Sequence, residues 1–222
     1  MQVQNWMSSD VITVDVDASL VQVIRVLEEN NIRHLPVTKN GKLAGMLTNE
    51  DVIKASPYGG TTLKAEELYH LLADMKAKHI MNPNPVCIKP HQTIEVAALM
   101  MLEHRITGIP VIKDDGSVIG IITQGDVFKC LVSITGAYQR GIQFAFNLED
   151  KPGSIKEVAN VIREEKCQVV SILSTTDTSD EGFRHVFIRI KKPPKENLKR
   201  LIDKLNQKFM LLYTVEDPLK EI

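Results

Sequence analysis

Cysteine is scarce in this chain, aromatic residues make up only 5%, and neither sign of charge is in clear excess. The three cysteines, Cys87, Cys130 and Cys167, are odd in number, far apart and without a C-x-x-C pair. That spacing offers neither a disulfide framework nor a metal site and suits a reducing compartment, so a cytoplasmic protein is expected. A net charge of −1 argues against a nucleic-acid surface. The densest basic cluster, Lys191, Lys192, Lys195, Lys199, Arg200 and Lys204, reads as the solvated face of a helix. The longest apolar run, Val96–Leu102, is far too short to span a bilayer, and the first ten residues lack the layout of a signal peptide. Neither G-x-x-x-x-G-K-[ST] nor G-x-G-x-x-G occurs, and no Ser-His-Asp or Cys-His grouping stands out. The six histidines (His34, His70, His79, His91, His104 and His185) have no ligand-like spacing and read more simply as surface or capping residues. No catalytic residue and no metal ligand is therefore expected, and an enzyme is the weaker reading.

What the chain does have is a globular composition and a repeat. Hydrophobic residues at 43% and charged residues at 25% suit a packed core, and 222 residues allow one large domain or two smaller ones. GMLTNEDVIK at 45–54 and GIITQGDVFK at 120–129 share a glycine, two apolar residues, Thr-x-x-Asp and a closing apolar-lysine. The similarity runs from Met7–Asn40 against Met81–Asp114 at an offset of 74, then from Gly41/Gly116 to Lys54/Lys129 at 75. A unit this small, duplicated, buries its open face against its copy.

Each copy predicts the same elements. An extended segment (Val11–Val14, Val86–Ile88) leads to a helix whose apolar residues fall at i, i+3, i+4 and i+7: Leu20, Val23, Ile24 and Leu27, then Ile94, Ala97, Ala98 and Met101. Ser19 and Gln22 have the spacing of a capping box, with Thr93 in the equivalent place. Two strands follow, Leu35–Thr38 and Leu43–Leu47, joined by the hairpin dipeptide Asn40-Gly41; the second copy has Ile109–Lys113 and Val118–Ile122. Thr48 or Thr123 then opens a final helix, and a linking arm carries a helix over Leu63–Ala77.

Thr-x-x-Asp before an apolar run is in itself a helix cap. Its recurrence after a Gly-led apolar strand at matching places in both copies suggests more. A hydroxyl and free amides at a helix N-terminus suit a phosphate, and a carboxylate one turn on can accept charge-assisted hydrogen bonds from both hydroxyls of a ribose.

On these residues the chain resembles tandem CBS motifs, the pair forming a Bateman module over about residues 5–132. The resemblance implies binding of an adenine nucleotide (AMP, ADP or ATP) or S-adenosylmethionine as a regulatory ligand in clefts between the copies. Carried over by position, Thr48 and Thr123 touch phosphate or ribose, Asp51 and Asp126 hold the ribose diol, and Met46 and Ile121 line the base pocket. Backbone at Ile12 and Val86, and at the residues before each Leu-Pro or Ile-Pro pair, reads the base edge. Those last residues are Arg33-His34 in one copy and Thr107-Gly108 in the other; Arg33 and His34 are the phosphate candidates. Because Glu50 adds a second carboxylate beside Asp51, the Asp126 cleft is expected to bind the more tightly, with Arg33 and His34 supplying its positive charge.

After Ala137 the pattern changes. Ile142, Phe144, Phe146 and Leu148 alternate as a half-buried strand, and Asp150-Lys151-Pro152-Gly153 makes a turn. Ser154 and Glu157 suggest a capping box on a helix with Ile155, Val158, Ala159 and Ile162 inward. Strands Val169–Ser174 and Phe183–Ile190, a helix marked by Leu198, Leu201, Ile202 and Leu205, and a strand Met210–Val215 complete a βαββαβ order, a ferredoxin-like sandwich. This third resembles an ACT domain over 141–217, which implies dimerisation and an amino-acid site at Asp150, Pro152 and Gly153. The whole is thus expected to be an α+β or α/β chain: motif one at 1–54, arm at 55–78, motif two at 79–135, then the ACT-like domain. That layout resembles AcuB-type acetoin utilization proteins. It implies a non-catalytic sensor, a homodimer that regulates a partner protein; the rival is a structural dimer with vestigial clefts.

Overall fold

A computed structural model describes residues 1–55, 70 and 72–216, in two compact units, 1–128 and 129–222. Most of the helix expected over Leu63–Ala77 lies outside the described residues.

In the first unit the two copies have matching structures. Copy one contains β1 (Val14–Asp15), α1 (Leu20–Glu29), β2 (His34–Lys39), β3 (Lys42–Thr48) and α2 (Asn49–Ala55). A short helix, α3 (Ala77–Ile80), leads into copy two, which holds α4 (Ile94–His104), β4 (Gly108–Ile112), β5 (Val118–Thr123) and α5 (Gln124–Thr135). The capping box forms as the spacing requires: Gln22 N–H donates to Ser19 Oγ at 3.2 Å, and Ser19 N–H donates to Gln22 Oε1 at 2.9 Å. Val96 N–H likewise donates to Thr93 Oγ1. β2 and β3 pair antiparallel across Asn40 (φ 52°) and Gly41 (φ 76°), the two positive φ angles that an Asn-Gly hairpin turn needs. The extended lead is shorter than expected. Only Val14–Asp15 pairs with β2, in parallel, and in copy two a single bridge joins Ile88 to Val111.

The copies exchange their lead-in segments. Leu20 N–H at the start of α1 donates to Met75 O, and Ile94 N–H at the start of α4 donates to Met1 O, both at 2.8 Å. Ser8 exchanges two backbone hydrogen bonds with Ile121 on β5, while Asn82 does the same with Met46 on β3. The equivalence therefore reaches back to Met1 and Met75, beyond the Met7/Met81 start legible in the sequence. Copy one's core gathers Leu20, Val23 and Leu27 of α1, Leu35, Val37 and Leu47 of the hairpin, and Ala77 of α3. The same positions in copy two, Ile94, Ala97, Met101, Ile109, Val111 and Ile122, are also buried.

The second unit has the expected βαββαβ order: β6 (Gly141–Glu149), α6 (Ser154–Glu164), β7 (Val169–Thr175), β8 (Phe183–Lys191), α7 (Lys195–Lys208) and β9 (Met210–Glu216). The sheet runs β7-β8-β6-β9, antiparallel throughout. Its core joins Ile142, Phe144, Phe146, Val186, Ile188 and Ile190 to Val158, Ile162, Leu201 and Leu205 of the helices. Of the basic cluster expected on one helix face, Lys195, Lys199, Arg200 and Lys204 lie on α7, whereas Lys191 ends β8 and Lys192 follows it; Lys204 and Arg200 pair with Glu165, and Lys192 with Glu216. One local expectation fails. Gly153, not Ser154, is the N-cap of α6, with φ 95°; Ser154 is the first helical residue and buried, so no Ser154–Glu157 box forms. Glycine reaches the left-handed region without a Cβ penalty, which lets the helix begin one residue earlier than the spacing suggests. The core of this unit leaves Arg189 nearly buried. Its Nε donates to the carbonyl of Thr135 at 2.7 Å and a terminal nitrogen donates to Gln143 Oε1 at 2.8 Å.

Candidate functional site: a cavity at Thr48 and Asp51

A cavity of about 460 Å³ opens in the first unit where the end of β3 and the start of α2 face the second copy. Copy one contributes Arg33, His34, Met46, Thr48, Glu50 and Asp51; Val86, Arg105, Thr107 and Gly108 line it from beyond the arm. Its size falls within the range of small-molecule pockets, about 300–1,000 Å³.

The Thr-x-x-Asp geometry follows from the strand-to-helix turn. Asp51 Oδ2 accepts from the Thr48 amide at 2.9 Å and from the Thr48 hydroxyl at 2.7 Å. The Asp51 amide in turn donates to Thr48 Oγ1 at 3.3 Å. One carboxylate oxygen is thereby fixed, and the other, Oδ1, has no hydrogen-bond partner among the described residues. The Asn49 amide donates to Arg33 O, so three amides at this turn serve the protein itself. Of the amides expected to suit a phosphate, those of Thr48, Asn49 and Asp51 are thus engaged in the turn's own hydrogen bonds. Positive charge comes instead from side chains. Arg33 and Arg105 have no carboxylate partner among the described residues, whereas Glu50 lies 3.9 Å from Lys54 one turn along α2.

His34 joins the two copies across the cavity. Its Nε2 is 2.7 Å from Thr107 Oγ1, and a methyl on Gly108 would stand 2.8 Å from its ring. Burial, with a smaller contribution from Arg33, holds the imidazole below its ordinary pKa. A surface or capping role does not describe this residue, because a half-buried ring between two strand starts has a neighbour on each copy.

The other expected residues fall elsewhere. Thr123 and Asp126 repeat the turn, with Asp126 Oδ2 accepting the Thr123 amide at 2.9 Å and hydroxyl at 2.7 Å. Asp126 is almost fully buried, the Ile121 backbone is engaged by Ser8, and Ile12 packs against the core of copy one. None of these four lines the Asp51 cavity. Arg33 and His34, assigned by sequence to the Asp126 side, lie on the Asp51 side, because β2 and β3 of one copy pair antiparallel and the start of β2 at His34 lies opposite the end of β3 at Thr48. Arg105 escaped the sequence reading. Its signal was positional: it follows α4 as Asn31 follows α1, and both adopt positive φ (53° and 50°). In the second unit Asp150, Pro152 and Gly153 form an exposed turn in which Asp150 Oδ1 is 2.9 Å from Arg184 Nε.

Among the described residues no group of His, Cys, Asp and Glu has metal-site geometry, and no helix is long and apolar enough to cross a membrane. The family model of the CBS domain matches residues 3–58 and 77–133. An uncharacterized protein of Methanocaldococcus jannaschii is 33% identical over 144 residues, 54% of this chain and 86% of the relative. A CBS domain-containing protein of Dictyostelium discoideum is 30% identical over 133 residues, 60% of this chain and 92% of its own. Among solved structures, CBSX2 in complex with AMP is 25% identical with a TM-score of 0.50, covering 60% of this chain and 98% of that one.

Proposed function

We propose that this chain, which belongs to the family of CBS-domain proteins as a tandem pair, is a non-catalytic sensor that holds an adenosine ligand in the Asp51 cavity. The observation that carries the reading is the Thr48–Asp51 pair, which fixes one carboxylate oxygen and presents the other at a cavity of ligand size. A carboxylate so placed accepts from both ribose hydroxyls, while Met46 and Val86 offer an apolar slot to the base. The AMP complex of CBSX2 supports adenosine as the ligand class. AMP, ADP, ATP and S-adenosylmethionine are the candidates, and ligand occupancy is read out as regulation of a partner protein.

The finer parts of the reading rest on the βαββαβ order of the second unit and on its resemblance to ACT domains. In this reading the second unit dimerises, takes an amino acid at Asp150–Gly153, and places the protein with acetoin utilization.

The test is a melting screen. A ligand that binds only the native state at about 100-fold over Kd adds roughly 2.7 kcal/mol. For a chain of this size each kcal/mol is worth about 2–4 °C. At least one of the four adenosine compounds should raise Tm by several degrees; no shift at millimolar concentration overturns the reading.

A further inference from the structure

We propose that α5 carries the ligand state of the Asp51 cavity to the sheet of the second unit, and that Arg189 is the positioning residue that fastens the helix there. The inference rests on the adenosine reading above and supplies the route by which occupancy is felt outside the cavity.

α5 is one helix from Gln124 to Thr135, and the division between the units falls inside it, between Phe128 and Lys129. Its first turn depends on the cavity. The Gln124 amide donates to the carbonyl of Thr107 at 3.0 Å, while Thr107 lines the cavity with its hydroxyl 2.7 Å from His34 Nε2. One residue thus serves both the cavity wall and the start of the helix. A ligand that orders Thr107 and Gly108 steadies the acceptor of that first amide.

The last turn depends on the second unit. A helix end leaves its final carbonyls without intrahelical donors. Here the Thr135 carbonyl accepts from Arg189 Nε of β8 at 2.7 Å and from Ser171 Oγ of β7 at 2.8 Å. Arg189 is held in turn by Gln143 Oε1 of β6 at 2.8 Å, so three strands contribute to the seat. Gly136 follows with φ 69°, and a methyl there would run into the Val170 side chain of β7. The guanidinium also meets the negative end of the helix dipole. Arg189 alternates with the core residues Ile188 and Ile190, so it stands on the opposite face of the sheet, yet it is only 7% exposed. An apolar side chain would fill that place at a lower desolvation cost. A buried cation adds direction instead, because it specifies one seat for the helix end.

The coupling works through local stability. Segments open with their own free energies, and a ligand that closes one part lowers the opening of whatever is fastened to it. α5 is fastened at both ends, so a filled cavity makes opening of β7 and β8 rarer. β9 lies at the far edge of the sheet from β7 and gains least.

Hydrogen exchange followed by mass spectrometry on the full chain, with and without AMP and in a parallel series with S-adenosylmethionine, tests it. Ligand should slow exchange at 45–54 and 105–110, along α5, and at 169–175 and 184–191, with little change at 210–216. Arg189→Met should keep the slowing at the cavity and lose it at 169–175. Ser171→Ala removes one of the two donors to Thr135 and should reduce it. If Arg189→Met loses the protection of β6 even without ligand, the wild-type pattern and Ser171→Ala decide alone. Slowing confined to the first unit in the wild type, slowing at 169–175 that survives both variants, or equal slowing at 210–216 each overturn the proposal and leave the adenosine reading standing. No slowing at the cavity with either compound removes the adenosine reading as well.

Discussion

At the scale of single residues, the two Thr-x-x-Asp pairs are alike in geometry and unlike in surroundings. Both aspartates accept the same two hydrogen bonds from threonine, at 2.9 and 2.7 Å. Asp51 faces a cavity lined by Arg33 and Arg105, neither with a carboxylate partner among the described residues, while Asp126 is almost fully buried. Charge-assisted hydrogen bonds contribute about 1.5–3 kcal/mol each. Asp51→Ala should therefore weaken AMP by at least about tenfold, and Asp126→Ala should chiefly lower Tm. Fluorescence or calorimetric titration of both variants decides the point, and a larger loss of affinity in Asp126→Ala would reverse the assignment. The aspartates were legible because a doubled motif marks them. The ranking of the clefts was not, since it depends on which copy's Arg33 and His34 face which turn, and spacing along the chain carries no such information. Arg105 was invisible for the same reason: it belongs to no motif and acquires meaning only when the copies are brought together.

At the scale of elements, the glycine that leads each repeated stretch has a packing explanation. A methyl on Gly45 would stand 2.5 Å from Met81 Sδ and 2.8 Å from Asn82 O. On Gly120 it would meet Met7 Sδ at 2.5 Å and Ser8 O at 2.9 Å. Each glycine lets the other copy's lead-in segment lie flat against β3 or β5 and complete its paired backbone bonds. Gly45→Ala and Gly120→Ala should each destabilise the first unit by about 1–3 kcal/mol, the usual cost of overpacking. Thermal melts should show a loss of several degrees for both. An unchanged Tm in either variant would show that the backbone yields cheaply and that the exchange does not constrain the fold. Helices α1 and α4 and the hairpin strands were read to within a residue or two, because the 3.6 and 2 periodicities are clean there, while the extended lead-in segments were not. The exchange was missed because the likeness of Met1-Gln2-Val3 to Met75-Lys76-Ala77 is only three residues long. The rest of it is in backbone bonds, which sequence does not display. Arg189 was missed similarly, as it looks like an ordinary polar position on the outer face of β8.

At the scale of the whole molecule, the family, the duplication and the βαββαβ sheet were all legible, because each repeats or alternates over tens of residues. The homodimer expected from the sequence is a proposal at this scale. In the first unit Ile53, Leu99, Leu102 and Phe128 are each at least 58% exposed on helices α2, α4 and α5. Exposed large apolar side chains are what an interface would cover, and a C₂ dimer of this chain is the proposed cover. Light scattering should give twice the 24.9 kDa of the chain at micromolar concentration; a monomer would contradict it. The central proposal is that the Asp51 cavity holds an adenosine ligand, and native mass spectrometry of the full chain titrated with AMP addresses it most directly. The expected spectrum shows AMP adducts on the wild-type protein, filling first a site that Asp51→Ala removes and Asp126→Ala keeps. A spectrum free of AMP adducts, or one in which Asp51→Ala binds AMP as the wild type does, would contradict it.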